Sequence, residues 1–227
     1  MPIDGPKGKA DMNKGLMIVV DGGNGAGKGT CLRDIETYLN DLELEVVMTR
    51  EPGGTAIGEK IREILLDKSA GEMCDVTELL LFAAARAQHV RQKIIPAINA
   101  GKVVVSDRFD SATVSFQHYA RGLDLDLIKQ LNDIAVAGLR PDFTIILDLD
   151  PALGLQRVAS RGSDFDRLEK ENLSFLERAR QGYIDQAQAD PQHFATVDAS
   201  QSFEQVRHEV LQLVEQVISR HKQVSHE

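Results

Sequence analysis

The stretch Gly22-Gly23-Asn24-Gly25-Ala26-Gly27-Lys28-Gly29-Thr30 stands between an apolar run, Leu16 to Val20, and a helix-like segment from Cys31 to Asn40. Strand, glycine turn and helix in that order make a cradle for polyphosphate. Glycines let the backbone curl so that successive N–H groups point inward, and the helix N-terminus adds partial positive charge. Lys28 directly follows the last loop glycine. From there its ammonium reaches the outer phosphates of a nucleoside triphosphate and neutralises charge that moves during transfer. The segment reads as a P-loop for a nucleoside triphosphate, with Gly22 through Thr30 around the phosphates. Gly29 occupies the position where Ser or Thr usually offers magnesium a hydroxyl, and Thr30 comes one residue later. The sequence therefore leaves the magnesium shell open.

Further candidates follow other apolar runs. Thr49-Arg50-Glu51-Pro52-Gly53-Gly54-Thr55 is a rigid turn that sets a guanidinium beside glycines. Ser106-Asp107-Arg108-Phe109 is followed by Ser111, Thr113, Phe116, Gln117 and then Tyr119-Ala120-Arg121-Gly122. Each is open to ordinary turn chemistry, but together they lie at one sheet edge. Between Gly154 and Glu169 the chain carries Arg157, Arg161 and Arg167, broken by Gly162, Ser163, Asp164 and Asp166. Arg157 and Arg161 share a helix face, as they would in a phosphate-closing lid or in a solvated helix end.

The elements that must position these residues are short apolar runs alternating with longer amphipathic ones. Leu16 to Val20, Glu45 to Thr49, Lys102 to Ser106, Phe143 to Leu149 and Phe194 to Val197 read as strands. Val103 to Val105 and Ile145 to Leu147 are continuously apolar, the mark of strands covered on both faces. The expectation is an α/β fold, a parallel sheet between helices with ligands beyond the carboxyl ends of its strands. Leu168, Leu176, Ala179, Tyr183 and Ala187 recur at helical spacing, as do Phe203, Val206, Val210, Val214 and Val217, and both stripes read as core. So does the helical run Leu79 to Ala85, Phe82 included.

At 227 residues the chain is expected to form one domain. Residues 1–14 read as a flexible N-terminal arm without the apolar centre of a signal peptide, and residues 221–227 as a tail. No run has the apolar length of a membrane span, so a cytoplasmic protein is expected. Cys31 and Cys74 show no metal or disulfide spacing and read as reduced thiols that fill space. A net charge of -9 argues against nucleic-acid duplexes as partners. A small anionic substrate remains compatible, since local arginines and lysines set the potential of a cleft.

The Arg50 to Thr55 turn, the Asp107-Arg108-Phe109 segment and the Gln117 to Gly122 stretch, with the P-loop, resemble the bacterial thymidylate kinases of the nucleoside monophosphate kinase group over roughly residues 15 to 218. The resemblance implies a five-stranded parallel P-loop sheet, a kinase domain over residues 15–220 with an arginine-bearing lid at about 157–167, and a homodimer. It also implies transfer of the γ-phosphate of ATP to thymidine 5'-monophosphate with Mg2+. On this reading Phe82 stacks on thymine, Arg86 donates to its exocyclic oxygen, and Thr113 and Gln117 face the remaining edge. Phe116 lies against the deoxyribose, Arg50 and Arg108 hold the acceptor phosphate beside Glu51, and Asp107 acts near magnesium through water. Lys28, Arg108, Arg157 and Arg161 carry catalysis, and Arg167 anchors the lid.

Two positions depart from that pattern. Asn24 stands where an acidic residue usually meets the acceptor's 3'-hydroxyl, and His118 replaces a glycine, so that an imidazole is expected to crowd the turn. They keep open a kinase for another or modified deoxypyrimidine monophosphate. Gly29 keeps open a nucleotide-binding paralogue without turnover.

Overall fold

The structure, a computed structural model, describes residues 14–160, 167–168 and 171–224. Arg161 and the rest of the lid to residue 166 lie outside the described residues, as do the arm to residue 13 and residues 225–227.

The chain alternates strand and helix: β1 (Met17–Gly22), α1 (Lys28–Asp41), β2 (Val46–Arg50), α2 (Ala56–Leu66) and α3 (Asp75–His89). A π-helical turn (Val90–Ile94) leads into α4 (Ile95–Asn99), then β3 (Val103–Asp107) and α5 (Asp110–Thr113). A second π-helical stretch (Val114–Ala120) precedes α6 (Leu125–Val136), β4 (Phe143–Asp148), α7 (Pro151–Ala159), α8 (Leu173–Ala189), β5 (Phe194–Asp198) and α9 (Phe203–Val224). The strands form one parallel five-stranded sheet in the order β2-β3-β1-β4-β5. Sequence and structure agree on this fold. The strand order reverses around β1, so the crevice beyond its carboxyl end is where this architecture binds ligands.

Continuous apolar strands follow from cover on both faces. Leu16, Ile18 and Val20 pack with Ile35 and Leu39 of α1 and Val210 and Val214 of α9. Met17 and Val19 point the other way, against Val90, Ile94 and Phe109. A third cluster joins Phe116 and Ile146 to Phe175, Leu176, Ala179, Tyr183 and Ala187 of α8. Side-chain caps start the helices that flank the crevice: Thr55 accepts from Gly58 N, and Asp150 from Ala152 N and Leu153 N with Pro151 in the first turn.

Four sequence expectations need correction. The run in α3 is not wholly core: Leu79 and Ala85 are buried, but Leu80 is half-exposed and Phe82 only partly covered, because consecutive residues fan around a helix. Leu168 precedes α8 and lines the site pocket, and Phe203, in the first turn of α9, is half-exposed. Cys74 is exposed just before α3, where hydrogen bonding to Thr77 lowers its pKa, whereas burial pushes Cys31 up to about 11. His118 is helical and bonds the Leu123 carbonyl at 2.7 Å, and the left-handed turn falls to Gly122 at φ 80. Its imidazole packs edge-on to the Tyr119 ring at 5.0 Å and does not occupy the turn position.

One packing contact sets the P-loop directly against α7. A Cβ on Gly154 of α7 would meet the Asn24 carbonyl at 2.3 Å, and one on Gly25 would meet the Gly154 carbonyl at 2.3 Å. Neither backbone can give way without moving the cradle. Gly154→Ala should therefore destabilise the protein by about 1 to 3 kcal/mol through overpacking, although alanine favours helices. Denaturant unfolding checks the stability, and an accompanying rise in KM for ATP checks that the strain reaches the loop.

Candidate active site

The P-loop is built by backbone strain that glycine relieves. Gly27 caps α1 at φ 92, and its carbonyl accepts from Thr30 N at 3.0 Å and Cys31 N at 3.2 Å. A Cβ on Gly23, Gly27 or Gly29 would meet no neighbouring segment within 4 Å, so the loop backbone is uncrowded at these positions. Lys28 folds across it, donating from Nζ to Gly22 O at 3.1 Å and Gly23 O at 2.9 Å. Thr30 Oγ1 accepts from Arg33 at 3.3 Å.

Arg108 forms the wall between this loop and a deeper pocket. It sits just past β3 in the left-handed region, φ 68, and its backbone N–H donates to Val20 O at 3.0 Å. Its Nη1 donates to Asp21 Oδ1 at 3.0 Å, Gly22 O at 2.9 Å and Tyr183 Oη at 2.8 Å, and its Nη2 to Asn24 Oδ1 at 3.0 Å. The guanidinium lies 5.3 Å from the Phe116 ring centroid. Burial alone would lower its pKa, but Tyr183 and the Asp21 carboxylate raise it further, so the charge is permanent. Asp21 itself is fully buried and also accepts from Tyr183 Oη at 2.6 Å, Ser111 Oγ at 2.8 Å and Gly22 N at 2.9 Å.

Beyond Arg108 the pocket is lined by Phe82, Arg86, Thr113, Phe116 and Gln117, together with Asn24, Lys28, Glu51 and Asp107. Arg86 is buried among four acceptors: Glu51 Oε2 at 2.8 Å, Thr113 Oγ1 at 2.9 Å, Asn132 Oδ1 at 2.7 Å and Phe109 O at 2.8 Å. That uses all but one of its N–H donors and leaves the last, on Nη2, for a ligand. Glu51 Oε1 pairs with His89 Nδ1 at 2.9 Å, and His89 Nε2 reaches Thr49 Oγ1 at 2.7 Å. Asp107 Oδ1 is buried without a hydrogen-bond partner, the state of an oxygen awaiting a cation or water.

Not every candidate meets there. Arg50 is half-exposed and paired with Glu59 at 2.9 Å, away from the pocket lining, and Arg157 donates to the Ala199 carbonyl at 3.0 Å. Arg62, on the helix after the Arg50 turn, lines the pocket instead and bonds Pro52 O at 2.9 Å. Arg167 binds Glu78 and, at 2.8 Å, the Leu65 carbonyl. Sequence reasoning passed over Asp21, Glu78, Arg62 and Tyr183. Asp21 was signalled by a carboxylate ending a buried strand, and Glu78 by its spacing of one helical turn before Phe82 and two before Arg86. Tyr183 carried no such signal, because its ring belongs to an apolar stripe.

A family model described as thymidylate kinase matches residues 20–210. A thymidylate kinase of Pelotomaculum thermopropionicum is 43% identical over 205 residues, covering 90% of this chain and 95% of its own. One of Pseudomonas putida is 44% identical over 206 residues, covering 91% and 98%. The crystal structure of thymidylate kinase from Ehrlichia chaffeensis superposes with a TM-score of 0.72 at 31% identity, over 88% of this chain and 98% of that one.

The buried pair of Asp21 and Arg108 is the part of the site whose loss the fold would feel first. Asp21→Ala leaves a buried guanidinium without its counter-charge, and such a break costs about 3 to 5 kcal/mol. Denaturant unfolding of the variant should show a loss of that size. A change under 1 kcal/mol would mean that solvent or Asp107 replaces the carboxylate.

Proposed function

The chain belongs to the thymidylate kinase family, and from that premise we propose how it transfers the γ-phosphoryl group of ATP to thymidine 5'-monophosphate. The observation that carries the proposal is the shared wall: Arg108 stands between an open phosphate cradle with its lysine and a pocket holding an aromatic ring, one unspent arginine N–H and an amide. The relatives are thymidylate kinases, and neither a different acceptor nor a paralogue without turnover draws support from them.

The acceptor phosphate is already an anion, so no general base need activate it. The barrier lies in bringing two phosphate clusters together, and positioning and charge neutralisation lower it. The P-loop amides and Lys28 grip the donor, and Arg108 holds the acceptor phosphate in line. Arg50 joins it by leaving Glu59, with Arg62 beside it. Phe82 stacks on the base, the remaining Arg86 N–H donates to its exocyclic carbonyl, and Phe116 borders the sugar. Arg157 and Arg161 close over the transferring group, Arg161 on its sequence position alone.

Mg2+ would be held here by few protein oxygens together with the phosphates of its ligand, and not by a cage of protein side chains. Among the described residues no group of three or more His, Cys, Asp or Glu could hold a metal. The unpartnered Asp107 oxygen is the hard ligand available, directly or through water, with Thr30 at the helix start. When bound, the ion supplies charge neutralisation across the phosphates.

We also propose a homodimer. Ile57 and Ile64 of α2, Val76 and Leu80 of α3 and Ile134 of α6 are apolar and exposed, and α2 and α6 both pack against α3. A second copy would cover that apolar surface. No helix of the described residues is long and apolar enough to cross a membrane, and we place the enzyme in the cytoplasm, where ATP is supplied.

Two measurements test the reading. In a coupled ADP-release assay across monophosphates, thymidine monophosphate should exceed deoxycytidine monophosphate roughly tenfold to a hundredfold in kcat/KM, since an amino group facing a buried donor leaves both unpaired. Equal rates would remove the base pocket from the account. Lys28→Ala should retain the wild-type melting profile yet lose turnover by on the order of a hundredfold. Unchanged turnover would displace the P-loop assignment.

A further inference from the structure

Gln117 lines the acceptor pocket, but its orientation is imposed from behind. Its side-chain nitrogen donates to Glu78 Oε1 at 2.9 Å. An ionised carboxylate only accepts, so the amide nitrogen must face Glu78 and the amide oxygen must face the other way. No described residue donates to that oxygen.

Glu78 is itself held rigidly. It is 1% exposed on α3, and Arg121 donates to both of its oxygens, from Nε to Oε1 at 3.2 Å and from Nη2 to Oε2 at 3.1 Å. Arg167 adds a further charged contact to Oε2. Arg121 is fixed in turn by Glu171 at 2.7 Å and by the Phe175 ring, 4.6 Å from its guanidinium. Burial alone would raise the Glu78 pKa, yet Arg121, Gln117 and Arg167 hold it below the ordinary glutamate value, so it stays ionised. The pocket then offers a fixed donor, the last Arg86 N–H, and a fixed acceptor, the Gln117 oxygen. That pair matches a base edge with a carbonyl beside a ring N–H, as in thymine. It mismatches cytosine, which presents an amino group beside an unprotonated ring nitrogen.

We propose that Glu78 is a positioning residue for acceptor choice: by accepting from the Gln117 nitrogen it aims the amide oxygen at the pocket, and so makes the site select a pyrimidine with an N–H beside its carbonyl. The inference rests on the thymidylate reading of the pocket.

Glu78→Gln is the direct test, because an amide at position 78 can pair with either end of Gln117 and releases the lock. The ratio of kcat/KM for thymidine over deoxycytidine monophosphate should fall roughly tenfold, mainly through a higher KM for thymidine monophosphate. A merely structural role would lower activity on both acceptors alike, and an unchanged ratio in a folded variant overturns the proposal. Should Glu78→Gln fail to fold, two further variants decide. Gln117→Glu alone sets carboxylate against carboxylate and should cost about tenfold or more with thymidine monophosphate. Glu78→Gln with Gln117→Glu reverses the polarity of the bond, keeps a carboxylate in the cluster and presents an oxygen to the pocket in either orientation. It should restore both activity and ratio to within about threefold of wild type. A double variant no better than Gln117→Glu overturns the proposal. A wild-type enzyme without base preference removes the pocket reading itself, whereas a wild-type preference that survives Glu78→Gln removes only the role of Glu78.

Discussion

A guanidinium that must stay charged, largely buried and correctly aimed sets the terms for the whole crevice, and the Asp21–Arg108 pair meets them. Asp21 closes β1 and Arg108 follows β3, so the salt bridge joins the ends of adjacent parallel strands just where the sheet order reverses. Parallel strands deliver their carboxyl ends to one edge. There a buried carboxylate can sit beneath the P-loop while its partner reaches past it to the acceptor side. Tyr183 on α8 and Ser111 on α5 complete the shell of Asp21, which ties the helical layer to the same point. The glycine loop and the pocket beyond it are thereby referenced to one wall.

The same solution recurs twice behind the base pocket. Arg86 rests on Glu51, and Arg121 rests on Glu78, each carboxylate nearly inaccessible and each arginine carrying further bonds to neutral acceptors or rings. Buried ion pairs add little net stability, because desolvation offsets attraction. Their value here is geometric: held by Glu51, the Arg86 guanidinium keeps its remaining donor in a fixed place at the pocket lining, whereas Arg121 spends its donors on holding Glu78 and Glu171 in place. This reconciles an acidic protein with anionic substrates: carboxylates lie underneath, and cations line the crevice.

How much of this was legible in the sequence divides along physical lines. Period and apolar continuity revealed the five strands, because burial on both faces leaves a mark in each residue. Glycine spacing revealed the P-loop, because backbone strain leaves the same kind of mark. Phe82, Arg86, Thr113 and Gln117 were named through resemblance, and they do line one pocket. The supports were harder to read. Tyr183 looks like any aromatic of an apolar stripe, and only the fold places its hydroxyl 2.6 Å from a carboxylate 162 residues away in sequence. Arg50 and Arg157 show the converse: their places in the chain suggested phosphate contacts, but each side chain is engaged elsewhere, by Glu59 and by the Ala199 carbonyl. Sequence fixes where a long side chain starts, not which of several partners holds it.

Asn24 gains a physical meaning from this arrangement. Its amide oxygen accepts from Arg108 Nη2 at 3.0 Å, as a carboxylate would, so the geometry of the arginine is kept. The charge is not. Among the described residues Asp21 is then the single carboxylate bonded to Arg108, and the guanidinium is offset once where a second acid would offset it twice. At an effective dielectric near 20, a unit charge about 4 Å away contributes on the order of 4 kcal/mol to the interaction with another charge. A neutral residue in place of an acid beside Arg108 therefore leaves a more positive field in this part of the crevice.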